Sequence, residues 1–162
     1  MNEMIYIGKT VSTFGIKGEL KVISDFEKCD KAYKIGNKIL INNIEHVISG
    51  IRYHKNYILL EIDDLKNINN ILKYVGFNIY IKRMDLHLEE NEFLYKDLIN
   101  SDVIDNDGSN LGKIIEVEQG VNLLIKVKSS KEFYIPYVDE YIISFDLNNK
   151  KLYTKNTKDL IL

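Results

Sequence analysis

The stretch from Gly8 to Val22, Gly-Lys-Thr-Val-Ser-Thr-Phe-Gly-Ile-Lys-Gly-Glu-Leu-Lys-Val, sets narrow limits on what this chain can fold into. On its left, Ile5, Ile7, Lys9 and Val11 fall on one side of an extended segment; on its right, Leu20 and Val22 share a side and Lys21 takes the other. Alternation with period two marks a half-buried strand, so two strands are expected here, with Gly15 and Gly18 between them. Glycine accepts positive φ or close backbone approach at little cost, which makes this connection a tight, irregular turn at the rim of a sheet or barrel. On residue types alone Phe14 and Ile16 plug the end of the core and Lys17 is solvated.

Short strands at close spacing follow: Lys38 to Ile41, Glu45 to Tyr53 and Tyr57 to Ile62, with Asn42-Asn43 and Lys55-Asn56 as two-residue turns. The polar segment from Ser24 to Gly36 precedes them, its Phe26 and Tyr33 expected to close over the barrel end. The pattern reads as a β meander. One helix stands out, with Asn67 as N-cap, Ile68, Ile71, Leu72 and Val75 at helical spacing, and Gly76 as the left-handed terminator. Phe77 to Ile81 supplies another strand.

A cluster at Asp85, Glu89, Glu90 and Asn91 separates this half from a second one rich in strands. The expected division is a first domain over residues 1–85, a linker over 86–91 and a second domain over 92–162. Strands are expected at Val103-Ile104, Lys113 to Glu118, Asn122 to Lys128, Lys131 to Ile135, Tyr141 to Leu147 and Leu152 to Thr154. Asp107-Gly108 is a turn signal, and Pro136 ends a strand by removing a donor. Asp105-Asn106-Asp107-Gly108 has the start of a calcium loop, but the further ligands and the closing glutamate are missing. Two small β-barrel domains, the first carrying one short α-helix, are the fold class these observations imply.

The net charge of −2 conceals an asymmetry: residues 1–88 hold 13 basic and 10 acidic side chains, residues 89–162 hold 9 and 14. A mildly basic half beside an acidic half suits two kinds of partner, a phosphate backbone and a basic protein. No apolar run approaches the roughly 18 residues that span a bilayer, and the N-terminus reads as a strand, so a cytoplasmic protein without membrane contact is expected. The single cysteine, Cys29, allows no internal disulfide, and His46, His54 and His87 are scattered without metal-ligand spacing. No cofactor and no metal are expected.

Read whole, the opening stretch resembles the N-terminal signature of the RimM family of bacterial ribosome maturation factors, Gly-Lys-x-x-x-x-His-Gly-x-x-Gly-Glu-x-Lys-Val. Gly8, Lys9, Gly15, Gly18, Glu19, Lys21 and Val22 match. Phe14 stands where the family has histidine and Ser12 where it has glycine, so the role of that imidazole is not carried over. The second half is similar to the PRC-barrel domain that follows in the same family, through Leu98, Val103, Asp105, Asp107-Gly108, Leu111-Gly112, Ile114, Val117, Ile135-Pro136 and Val138-Asp139-Glu140.

The resemblance implies a monomeric, non-enzymatic assembly factor. It implies binding to the head of the immature small ribosomal subunit, contact with the nineteenth small-subunit ribosomal protein and with head-domain rRNA, and support of rRNA folding and processing. Lys9, Phe14, Lys17 and Lys21 are the ribosome-facing candidates of the first domain, with Gly15 and Gly18 supplying loop geometry. The aromatic pair that opens the family's second domain, tied to ribosome binding, falls here on Phe93 and Leu94, followed by Tyr95, so Phe93 and Tyr95 complete the set. Two other readings compete. A hydrolase would draw on rim carboxylates such as Asp63 and Asp64, yet no catalytic residues stand at motif spacing. A generic RNA-binding barrel would need a strongly basic, aromatic face.

Overall fold

β1 (Met4–Phe14) and β2 (Glu19–Ile23) form the opening hairpin, paired from Phe14 opposite Glu19 down to Lys9 opposite Ile23. The computed structural model describes residues 3–161, which divide into two compact units between Glu89 and Glu90. In the first unit β3 (Lys38–Ile41), β4 (Ile44–His54), β5 (Tyr57–Ile62) and β6 (Asn78–Lys82) join the hairpin in a closed barrel of order β1-β2-β5-β4-β3-β6. This is not a plain meander. The segment after β2, carrying the one-turn helix α1 (Cys29–Ala32), takes the chain across the barrel, so β5 rather than β3 pairs with β2.

Ile7, Leu20, Val22, Ile39, Ile41, Ile48, Leu60, Ile62, Ile79 and Ile81 fill the barrel, all essentially without exposure. Burying each such side chain is worth about 1.5–3 kcal/mol of transfer free energy. Tyr33 closes over one region of this core as expected, its hydroxyl donating to the Ile7 carbonyl at 2.7 Å. Burial pushes the Tyr33 phenol far above its ordinary value, so it stays a donor.

The alternation expected through Ile5, Ile7, Lys9 and Val11 breaks at Gly8. The β1–β6 register slips between Tyr6 and Gly8, a bulge that inserts one residue and reverses the faces beyond it. Thr10 therefore points inward, fully buried, and Lys9 points out. The Thr10 hydroxyl donates to the Tyr74 carbonyl at 2.6 Å and accepts from the Phe77 amide at 3.1 Å, tying the helical segment to β1. That segment is α2 (Ile68–Ile71) continued by a 3-10 turn over Leu72–Tyr74. Asn67 caps it, its side-chain oxygen accepting from the Asn69 amide at 2.8 Å, and Gly76 at φ +90° ends it. The tighter turn superposes residues three apart, so Ile71 and Tyr74 are buried while Leu72 is exposed.

The second unit begins with a 3-10 turn over Tyr95–Leu98 and continues through β7 (Asp102–Ile104), β8 (Asn110–Glu118), β9 (Leu124–Lys128), β10 (Glu132–Pro136), β11 (Ile142–Asp146) and β12 (Lys151–Thr154). The strand order is β10-β9-β8-β7-β12-β11, antiparallel except for the parallel β7–β12 pair. Leu98, Val103, Ile114, Ile125, Val127, Phe133, Ile135 and Leu152 form one core, against which Ile142 and Phe145 of the far edge strand also pack. Both edges of the sheet thus share a single interior, which requires the sheet to curl round it. The protein is mainly β, with a first barrel carrying two short helices, α1 and α2, where one was expected, and a second unit whose sheet curls round its own core.

Candidate functional site

The two glycines of the β1–β2 turn serve different physical needs. Gly15 lies at φ +66° in open space, so only its backbone conformation calls for glycine. Gly18 lies at φ +87° and is buried against the cap of α2, where an added Cβ would stand 2.9 Å from the Asn67 backbone nitrogen. Between them Lys17 is exposed, as is Ile16, at 84%. Ile16 therefore plugs nothing. Phe14 is half-buried, and its ring packs on the outside of the barrel against His54, centroids 5.1 Å apart.

Residues directly opposite one another in a ladder share a face. Phe14 stands opposite Glu19, Ser12 opposite Lys21, Lys21 opposite Leu59, Leu59 opposite Arg52, and Tyr57 opposite His54. Because Leu20, Val22 and Leu60 point into the barrel, this set points away from it. Leu59 lies in its middle with 0% exposure, so the face carries a small packed layer of its own.

Arg52 organises the electrostatics. Its Nε and one terminal nitrogen donate to the two carboxylate oxygens of Glu19, each at 2.8 Å, a bidentate pair. That hydrogen bonding holds the Glu19 carboxyl below the usual range; burial opposes it, and the charges of Arg52 and Lys17 add to it. The same guanidinium lies 5.4 Å from the Phe14 ring centroid, and the Lys21 ammonium lies 3.9 Å from that of Tyr57. Both are cation–π geometry, so the cations are held over aromatic faces while their outer sides remain available. Lys9 is exposed between Ile23 and Asn78, its two ladder partners.

The barrel thus gathers Phe14 and Lys21 on one face and sets Lys17 at its turn, while Lys9 points outward between β2 and β6. Sequence reasoning missed Arg52, His54, Tyr57 and Leu59, which only strand register brings there; Arg52 could have been flagged as one of just two arginines. Phe93 and Tyr95 belong to the other unit. Phe93 is half-buried, its ring 4.9 Å from that of Phe145 and 6.3 Å from that of Tyr137. Tyr95 lines a shallow hollow of about 160 Å³ with Gln119, Val121 and Leu123.

The rim carboxylates have local duties. Asp63 accepts from the Val47 amide at 2.8 Å and lies 2.6 Å from Nδ1 of the buried His46, whose ring stands edge-on to Tyr74. Asp63 and Asp64 both have positive φ and form the turn that ends β5. Among the described residues no cluster of histidine, cysteine, aspartate or glutamate is placed to hold a metal ion, and no helix is long and apolar enough to cross a membrane.

A closed barrel with a basic and aromatic outer face, followed by a second curled β unit, defines the class: a two-module β protein. Residues 5–86 match the RimM N-terminal domain and residues 95–160 the RimM PRC barrel domain. A ribosome maturation factor RimM from Staphylococcus haemolyticus is 35% identical over 155 residues, covering 91% of this chain and 93% of that protein, and one from Staphylococcus aureus is 36% identical with the same coverage. A 16S ribosomal RNA processing protein RimM from Pseudomonas aeruginosa, known from its crystal structure, is 24% identical with a TM-score of 0.47, over 98% of this chain and 100% of that one. The N-terminal domain of RimM from Thermus thermophilus, solved in solution, is 13% identical with a TM-score of 0.45, over 52% of this chain and 94% of that one. The chain belongs to the RimM family.

Proposed function

We propose that this protein is a non-enzymatic, monomeric, cytoplasmic assembly factor that binds the head of the immature small ribosomal subunit, touching head-domain rRNA and the nineteenth small-subunit ribosomal protein. The observation that carries the reading is the outer face of the first barrel. There Lys9, Lys21 and the half-buried Phe14 lie on the outside of the β1–β2 hairpin, and Lys17 is exposed in the Gly15–Gly18 turn that joins its strands. Membership of a family whose relatives are named ribosome maturation factors supports it. Lysines supply phosphate contacts and aromatic faces supply stacking, which together suit structured RNA at a protein-bound junction. The acidic second unit, with Phe93 and Tyr95 near its start, suits a basic protein.

Such a factor needs no bond chemistry. It binds one assembly state of the subunit better than the next and shifts the population toward it, and release follows when the mature surface no longer fits. The test is cosedimentation with immature small subunits across a salt series. Binding at low salt that weakens as salt rises is expected, and Lys17→Glu is expected to weaken it further while the chain stays folded. A protein that remains at the top of the gradient sinks the proposal. Equal affinity for an arbitrary single-stranded RNA would favour a generic RNA-binding barrel instead.

A further inference from the structure

Arg52 is held in a way that its charge alone does not explain. Its Nε and one terminal nitrogen, the edge with which a guanidinium grips a phosphate or a base, are both taken by the Glu19 carboxylate, each at 2.8 Å. The Phe14 ring backs the same group, and His54 packs on that ring in turn. Yet 56% of the Arg52 side chain is exposed, while Glu19 is largely covered. A long surface cation ordinarily keeps its rotamer freedom, and an isolated exposed ion pair returns little for losing it. Here two partners fix the guanidinium, one along its edge and one behind it, and its remaining side is turned to solvent.

That arrangement narrows the ligand. With its fork occupied and its charge offset by Glu19, Arg52 is poorly placed to bind phosphate. A planar, delocalised and weakly hydrated guanidinium does stack on π systems, and the unpaired bases of structured RNA are recognised on such planes. Because the side chain is already immobilised, stacking costs little further ordering. Phosphate contacts fall to the lysines around it: Lys21, whose ammonium stands over the Tyr57 ring, and the exposed Lys17 and Lys55, in the β1–β2 and β4–β5 turns. Against these cations stand Glu19 and, further along β5, Glu61, itself 3.9 Å from Lys66. A net positive face also attracts acidic peptides, but a carboxylate seeks the fork that Glu19 already holds, whereas a base needs only the plane.

We infer that Arg52 is a base-stacking residue, its clamped guanidinium receiving an unpaired RNA base while Lys17, Lys21 and Lys55 meet the neighbouring phosphates. This deepens, and rests on, the reading of the first barrel as a surface for ribosomal RNA. It adds a contact residue and names the form of RNA recognised, unpaired rather than duplex.

The test is an NMR titration of the full chain with an adenosine hexanucleotide, beside an abasic strand with the same ribose-phosphate backbone. Saturable shifts at the amides of Phe14, Glu19, Arg52 and His54 are expected, with the abasic strand about tenfold weaker. The Arg52 Nε–H signal should move upfield, as a group beneath a base's ring current does. Arg52→Lys keeps the charge and loses the plane, so the preference for the base-bearing strand should fall close to one. The amides of Leu20 and Ile41 report whether that variant is folded; if it is not, Phe14→Leu, which removes the ring behind the guanidinium, should lower the same preference. Equal binding of the two strands, no saturation, an unmoved Nε–H signal or an undiminished preference in the folded variant would overturn the stacking role. Tighter saturation of the same amides by acetylated hexaglutamate would overturn it too. Cosedimentation of the unaltered chain with immature small subunits is measured alongside. Its persistence without a base preference refutes the stacking role alone, and its loss refutes the reading beneath.

Discussion

Replacing Gly18 by alanine should damage the first barrel far more than the same change at Gly15, three residues earlier in the same turn. Both glycines have positive φ, +66° and +87°, where an L side chain is strained by roughly 1–2 kcal/mol. Alanine also restricts the unfolded chain, returning about 0.4–1 kcal/mol. At Gly15 nothing lies within 4 Å of the new Cβ, so those two terms stand alone and leave a net loss of about 0.5–1 kcal/mol. At Gly18 the Cβ would stand 2.9 Å from the Asn67 nitrogen and 3.1 Å from its carbonyl carbon, backbone atoms that cannot swing aside. Relieving that overlap adds about 1–3 kcal/mol, for a total near 2–4 kcal/mol.

Tyrosines occur in both units and tryptophan in neither, so bulk fluorescence cannot assign the loss to one of them. Urea unfolding followed by the amide signals of Leu20 and Ile41, with those of Val103 and Ile125 as internal reference, reads each unit separately. The first pair should lose stability in Gly18→Ala while the second holds. Equal losses for the two alanine variants would refute the assigned contact with the helix cap.

Thr10→Val removes the donor to the Tyr74 carbonyl and the acceptor for the Phe77 amide; about 1–3 kcal/mol should be lost, with faster hydrogen exchange at Phe77, and unchanged exchange would show the bonds to be incidental. The Glu19 carboxyl is held below its ordinary value by Arg52, so the stability from their pairing is present above the unfolded value and lost as pH falls through the lowered one. With Arg52 more than half exposed, solvent screening keeps that contribution small. A carboxyl-carbon NMR titration should place the Glu19 midpoint below the usual glutamate range in the native chain and move it up in Arg52→Gln; identical midpoints would discard the clamp.

The fold was legible wherever one residue type decides one conformation. Asn42 and Asn43 adopt φ of +53° and +62° in the turn read from their type, and β3 and β5 span the residues expected as short strands between turn signals. Local pattern failed where one inserted residue changes the phase. At Gly8 the bulge turns Lys9 outward and Thr10 inward, and no alternation rule anticipates it. Long-range pairing was also hidden: neither the β2–β5 ladder nor the parallel β7–β12 pair leaves a local signature. The site shows the same division, since Phe14, Lys17 and Lys21 sit in one short stretch, whereas Arg52, His54 and Tyr57 reach the face only through register. Asp105 read as part of a turn motif; its buried, unpaired oxygen belongs to the tertiary structure alone.

The most direct measurement places a photo-crosslinking benzoylphenylalanine at position 14, in a side chain already aromatic, and another at Ile44, exposed at the start of β4. Each protein is irradiated with immature small subunits, and the products are read by mass spectrometry and primer extension. Position 14 should crosslink to head-domain rRNA or a protein of the head, well above position 44. Crosslinks from position 44 alone, or none from position 14 while the protein remains bound to the subunit, would contradict the claim that this barrel face grips the ribosome.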